Sequence, residues 1–247
     1  LFSYSILAFV VSLLFVAAII IPTLLSLGML NSVGGELAFQ SGAYIAIFVI
    51  YFGIIVICTF FDAAIVSTVR SRLQGGSPTF ISGIGFAFKR IHRVLQWALV
   101  SASVGAILKI IESFARKIKG VGAIVLYILR ALLGLAWQII SFFAVPAFVI
   151  YDEGPFRAIK HSIDALKKTW GESLILVVSL GAVKFMVNGF IWLAVLGSIF
   201  LFASTGISLV SFLITLGVLV VAHMAVYFVF KTADGVWRTV VFMYPAD

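Results

Sequence analysis

The feature that most constrains this chain is a succession of six apolar runs, over residues 5–28, 44–68, 94–111, 121–151, 173–202 and 208–230. A helix needs about 20 apolar residues to cross a hydrocarbon core about 30 Å thick, and the runs match that length. Spans of a β-barrel would alternate polar and apolar residues in short segments, and stretches such as residues 48–57 show no such alternation. Only α-helices remain, since each span must satisfy its own backbone hydrogen bonds in lipid. Composition closes the soluble alternative: 63% of residues are apolar and 11% charged, with a mean hydropathy of +1.24, whereas a soluble domain is about half apolar and about a quarter charged. The expected fold is all-α, a polytopic transmembrane bundle of six spans forming a single integral membrane domain over 1–247. Residue 1 is Leu, and the natural chain is expected to begin upstream.

The links between spans differ in charge. The first, residues 31–42, has no Lys or Arg, while the second carries Arg70, Arg72, Lys89, Arg90 and Arg93. The fourth link holds Arg157, Lys160, Lys167 and Lys168, and the C-terminal tail holds Lys231 and Arg238. Positive loops stay inside, so the second and fourth links and both termini are expected in the cytoplasm of a prokaryotic cell. Lys89, Arg90, Arg93, Lys160, Lys167 and Lys168 are candidates for anionic lipid headgroups, each worth about 1 kcal/mol near such a surface. That use of basic loops also accounts for the net charge of +8 without a nucleic-acid partner.

The third link breaks this pattern. Lys109, Arg116, Lys117, Lys119 and Arg130 lie on the side assigned to the exterior. Lys109, Glu112, Arg116 and Lys119 share a helix face opposite Ile110, Ile111, Phe114 and Ile118. Two readings fit: an interfacial hairpin lying on the outer leaflet, or a basic vestibule at a pore mouth.

The two basic links also echo each other at an offset of 78 residues, with Phe88 to His92 lying over Leu166 to Trp170. Each opens on a proline, Pro78 and Pro155, which a helix tolerates in its first turn. Apolar stripes at Phe80, Ile84, Phe88 and Ile91, and at Phe156, Ile159, Ile163 and Leu166, predict two amphipathic helices at the inner leaflet. Small residues at Ala98, Ser101, Ala102, Gly105 and Ala106 predict a close helix contact within the chain or between copies.

Catalytic patterns are missing: there is no H-E-x-x-H helix, no G-x-S-x-G elbow and no phosphate-cradling loop. The lone Cys58 gives neither a disulfide nor a Cys-based metal site. No catalytic residue, metal or cofactor is expected. What remains is polar residues within the spans, each costly in lipid and so in need of a partner. Counted at 1.5 Å per residue, Lys184 lies about 18 Å inward, with Asn188 one turn further, and Gln138 about 20 Å. Asp62 and His223 both lie about 10 to 12 Å deep, a match that permits a hydrogen-bonded pair.

The motifs Gly134 to Gln138, Phe142 to Pro146, Asp152 to Lys160 with Ser162, and Thr169 to Glu172 resemble those of a prokaryotic six-helix membrane family of unknown function. So do Phe60 to Ala64 and Gly75 to Thr79. A weaker likeness is to membrane domains fused to glycerophosphodiester phosphodiesterases, without their catalytic domain. The resemblance implies the fold and no activity. The leading expectation is a non-enzymatic homo-oligomer that conducts or moves a small solute or ion. The alternative is a scaffold or accessory subunit that docks lipids or an unidentified partner protein through its cytoplasmic helices.

Overall fold

The computed structural model describes residues 1–30, 36–205 and 208–244. Of the first link, residues 31–35 fall outside them. Among the described residues the chain forms helices α1 (Phe2–Leu30), α2 (Glu36–Leu73), α3 (Phe80–Lys89), α4 (Ile91–Lys117), α5 (Val121–Ile140), α6 (Ala144–Tyr151), α7 (Pro155–Lys168), α8 (Trp170–Thr205) and α9 (Leu209–Met243). Six stretches are long and apolar enough to cross a membrane, and the protein is an all-helical, membrane-type bundle.

Helix α2 is its axis and touches α1, α3, α4, α6 and α9. Polar contacts bring the start of α1, the end of α2, both short links and the end of α9 together. Tyr4 Oη lies 2.9 Å from Thr68 Oγ1 and donates to the Phe80 carbonyl at 3.0 Å, and Ser5 and Thr232 share a hydrogen bond of 2.9 Å. Around them Ala63, Ala64, Ile65, Val94, Ala144, Phe148 and Ala158 form a closely packed core. Dispersion and hydrogen bonding between neighbours must hold such a core in lipid, where apolar burial alone gives little. Toward the opposite end α4–α5 and α8–α9 form hairpins whose described residues are mostly exposed.

The small residues of α4 act within the chain. Ala98 and Ala102 are fully buried, and a Cβ on Gly105 would collide with Tyr51 Oη of α2. A glycine there lets the tyrosine lie against the helix backbone.

The run 121–151, expected as one helix, is broken at Ser141 to Phe143. Pro146 is the cause: it has no N–H for the Phe142 carbonyl, and its ring would clash with that carbonyl in a continuous helix. The freed groups find other partners. Arg238 Nη1 donates to Phe142 O at 3.3 Å, the Phe143 N–H donates to Ser162 Oγ at 2.9 Å, and Ser141 Oγ donates to Trp137 O at 2.6 Å.

The basic links do form helices, α3 and α7, but two details differ from expectation. Pro78 lies outside α3, whose N-cap is Thr79 with its side chain accepting from the Ser82 N–H, whereas Pro155 occupies the first turn of α7. The inward faces are built on small residues, Gly83 and Ala87 in α3 and Ala158 and Ser162 in α7, while Ile81, Phe88 and Phe156 point outward. The echo survives with a changed register. Arg90 (φ −108°, ψ 18°) and Thr169 (φ −111°, ψ 27°) are equivalent single-residue joints into the next span, so the backbone repeat runs one residue longer than the sequence alignment.

Helix α4 continues unbroken through Lys117 and turns at Gly120, whose φ of +75° suits a residue without a Cβ. The basic stretch from Lys109 to Lys117 is therefore the last part of α4.

Candidate functional site

Lys184 and Gln138, two polar residues of the spans, face a cleft between α5 and the α8–α9 pair. Helix α5 packs on α4 and α7, and α8 packs on α9 and the end of α7, so no helix fills the space between them. The cavity measures about 600 Å³. Leu135 and Ile139 of α5, Leu166 of α7, Trp170, Val177 and Leu180 of α8, and Tyr227 and Phe230 of α9 give it apolar walls. The helix break forms its floor, through Ser141 and Phe142.

Charged groups enter from α9 and α8. Lys231 Nζ lies 2.9 Å from Asp62 Oδ1 of α2, each side chain only 28% exposed. Arg238 forms an ion pair with Asp234 at 2.9 Å and sits over the Phe142 ring, 4.4 Å from its centroid, while also holding the Phe142 carbonyl. Lys184 has no such partner: it lines the cavity, exposed, with no ion pair among the described residues. Gln138 and Tyr227 line the same space with side-chain polar groups free of hydrogen bonds among the described residues. The cleft therefore offers an ammonium, an amide and a phenol, with one positive charge in excess.

Of the residues singled out from the sequence, Lys184 and Gln138 share this cavity. Asn188 does not line it; its amide donates to the Lys184 carbonyl at 2.7 Å. Asp62 finds Lys231, and His223 lies exposed elsewhere on α9. Depth counting paired Asp62 with His223 because it ended the last helix at residue 230; α9 runs to Met243, which brings a lysine onto the carboxylate instead.

The basic residues of the links divide. Arg90 and Arg93 face Asp152, at 2.8 and 3.4 Å, and Arg70 Nη1 donates to the Ile150 carbonyl at 3.3 Å, so arginines cap the C-terminal end of α6. Burial pushes the Arg90 guanidinium below its ordinary value while Asp152 acts in the opposite sense, and an arginine so placed stays charged. Lys89, Lys160, Lys167 and Lys168 are exposed. At the other end Glu112 gathers Lys109 at 3.3 Å, Arg116, and Arg130 of α5 at 3.7 Å, leaving Lys117 and Lys119 exposed. The role of Arg238 was missed by sequence reasoning. Its available signal was Asp234 one turn earlier, an i, i+4 pair that marks a helix continuing past the apolar run.

With six apolar helical stretches of membrane-crossing length among the described residues, the class is a multi-pass helical membrane protein. A family model described as "Family of unknown function (DUF6159)" matches residues 41–247, and the chain belongs to that family. No curated protein and no solved structure matches the chain, so these comparisons do not show the weaker likeness to membrane domains fused to glycerophosphodiester phosphodiesterases.

Proposed function

We propose that the protein is a non-enzymatic carrier for small anionic molecules and that the cleft between α5 and α8–α9 is where it binds them. The observation that carries this reading is Lys184, a cation without a counter-charge on the wall of a cavity of about 600 Å³. That volume falls within the range of about 300 to 1,000 Å³ typical of small-molecule sites. An uncompensated ammonium at this depth calls for an anion or for water. The other ionised groups lining the cleft already have partners, Lys231 in Asp62 and Arg238 in Asp234. The positive-inside rule favours a cell membrane protein whose packed end, with Arg70, Arg90, Lys160 and Lys168, faces the cytoplasm.

The test uses vesicles containing the purified protein, with hexanoate and a fluorescently labelled phosphatidylglycerol as probes. At least one probe should cross faster than in protein-free vesicles, and Lys184→Met should slow it about tenfold, the loss of roughly 1.4 kcal/mol of binding. Wild-type rates in Lys184→Met, or no transfer of either probe, would overturn the reading. A scaffold role has one observation in its favour: Ile81, Phe88 and Phe156 point away from the bundle on α3 and α7. If that role governs, Phe88→Ser with Phe156→Ser should abolish attachment of those helices to vesicles while leaving probe transfer intact.

A further inference from the structure

The walls of the cleft narrow the kind of anion. Most of its lining side chains are apolar, and on both flanks they are open: Leu135 and Val177 are each 54% exposed. Both belong to helices of membrane-crossing length, so in a bilayer the opening between them faces acyl chains. A small hydrated anion gains nothing from Leu135, Ile139, Val177 and Leu180, and would have to shed water to lie among them. A neutral lipid chain would fit those walls and leave Lys184 uncompensated. One chemistry satisfies both the walls and the charge.

Resting on the reading of the cleft as a binding site, we propose that its occupant is an anionic membrane lipid, entering sideways between α5 and α8. Its charged headgroup meets Lys184, Gln138 and Tyr227, and an acyl chain lies along Leu135, Val177 and Leu180. The three polar groups all donate hydrogen bonds, from the ammonium, the amide NH2 and the phenol OH, and a phosphate diester offers acceptors only. Lys231 and Arg238 are committed to Asp62 and Asp234, so the excess charge of the site rests on Lys184. Choice between anionic and zwitterionic headgroups then follows, because a choline would place a second cation beside an ammonium that has no acid to offset it.

The experiment is native mass spectrometry of the full chain released from vesicles of equal phosphatidylglycerol and phosphatidylcholine. Retention of one phosphatidylglycerol per chain is expected, lowered about tenfold by Lys184→Met and kept by Lys184→Arg. Leu135→Trp, which leaves every charge in place and fills the apolar wall, should also lower retention. Equal retention of the two lipids, or unchanged retention in Lys184→Met, would overturn the proposal. Failure here is separable from failure of the carrier reading. Hexanoate transfer that depends on Lys184, with no lipid retained, leaves a carrier of soluble anions and removes the lipid. Selective, Lys184-dependent retention with no transfer of either probe upholds the lipid site and removes the carrier.

Discussion

The two ends of the bundle solve different problems with the same apolar alphabet. At the packed end small residues and hydroxyls let helices approach until buried polar groups meet: Tyr4 with Thr68 and Phe80, Ser5 with Thr232, and Ser162 with the Phe143 N–H. At the open end α4–α5 and α8–α9 stand as separate hairpins, and residues such as Phe185, Phe190 and Phe200 are at least 70% exposed. Since lipid is as apolar as leucine, large side chains alone give helices no reason to associate there. Close approach, and not hydrophobicity, distinguishes the ends, and the cleft lies where one regime passes into the other.

The largest effect should come from the ion pair that links α2 to α9. Asp62→Leu leaves Lys231 uncompensated beside the cleft and should cost about 3 kcal/mol, since breaking a largely buried pair strands one charge. Thermal unfolding in detergent would register it as a marked fall in Tm. Combining Asp62→Leu with Lys231→Met should recover most of the loss, as apolar replacement of both partners is often close to neutral. If the double variant is as unstable as the single, the two residues do not act as a pair and the packed end is held otherwise.

A matched glycine comparison sharpens the contrast directly. A Cβ on Gly83 would strike Tyr4 Oη and come within 2.6 Å of Thr68 Oγ1. Gly83→Ala should therefore destabilise by about 1 to 3 kcal/mol through overpacking, with partial recovery when Tyr4→Phe removes the hydroxyl. Gly189, on α8, has nothing within 4 Å of such a Cβ. There the same change should stabilise by about 0.5 to 1 kcal/mol, the helix preference of alanine over glycine. A loss at Gly189 instead would mean that another chain packs on α8.

The sequence was readable in proportion to how local each property is. Six spans were visible because hydropathy sums over neighbouring residues, and Phe80 to Lys89 and Pro155 to Lys168 form the two link helices that their apolar stripes predicted. The break at Ser141 to Phe143 was hidden, because Phe142, Phe143, Ala144 and Val145 keep the run apolar. Pro146 was its sole marker, and a proline within a span signals a kink or a break without choosing between them. Pairing across the bundle was hidden for a different reason. Depth counts depend on where helices end, and α9 carries Val236, Val240 and Phe242 into the core well past its apolar run. That extension gives Asp62 its lysine and the helix break its arginine. Lys184 and Gln138 were placed at similar depths, and they do share a cavity; which walls would face each other needed the tertiary arrangement.

The smallest effect should be at Glu112, where the open end has its own polar cluster. Its contacts with Lys109 and Arg116 lie within α4, and only Arg130, at 3.7 Å, reaches across from α5. The cations are well exposed, 66% for Lys109 and 59% for Arg116, so each contact competes with water and salt, and exposed pairs of this kind contribute little. The α4–α5 hairpin has stronger ties nearer the packed end, among them the stacked rings of Trp97 and Trp137 at 5.7 Å. Glu112→Gln should lower Tm by less than Gly83→Ala does. The difference should vanish in about 1 M salt, where the screening length falls to about 3 Å. A fall as large as that of Asp62→Leu, or one insensitive to salt, would show that the open end is also held by buried charge and would erase the distinction between the two ends.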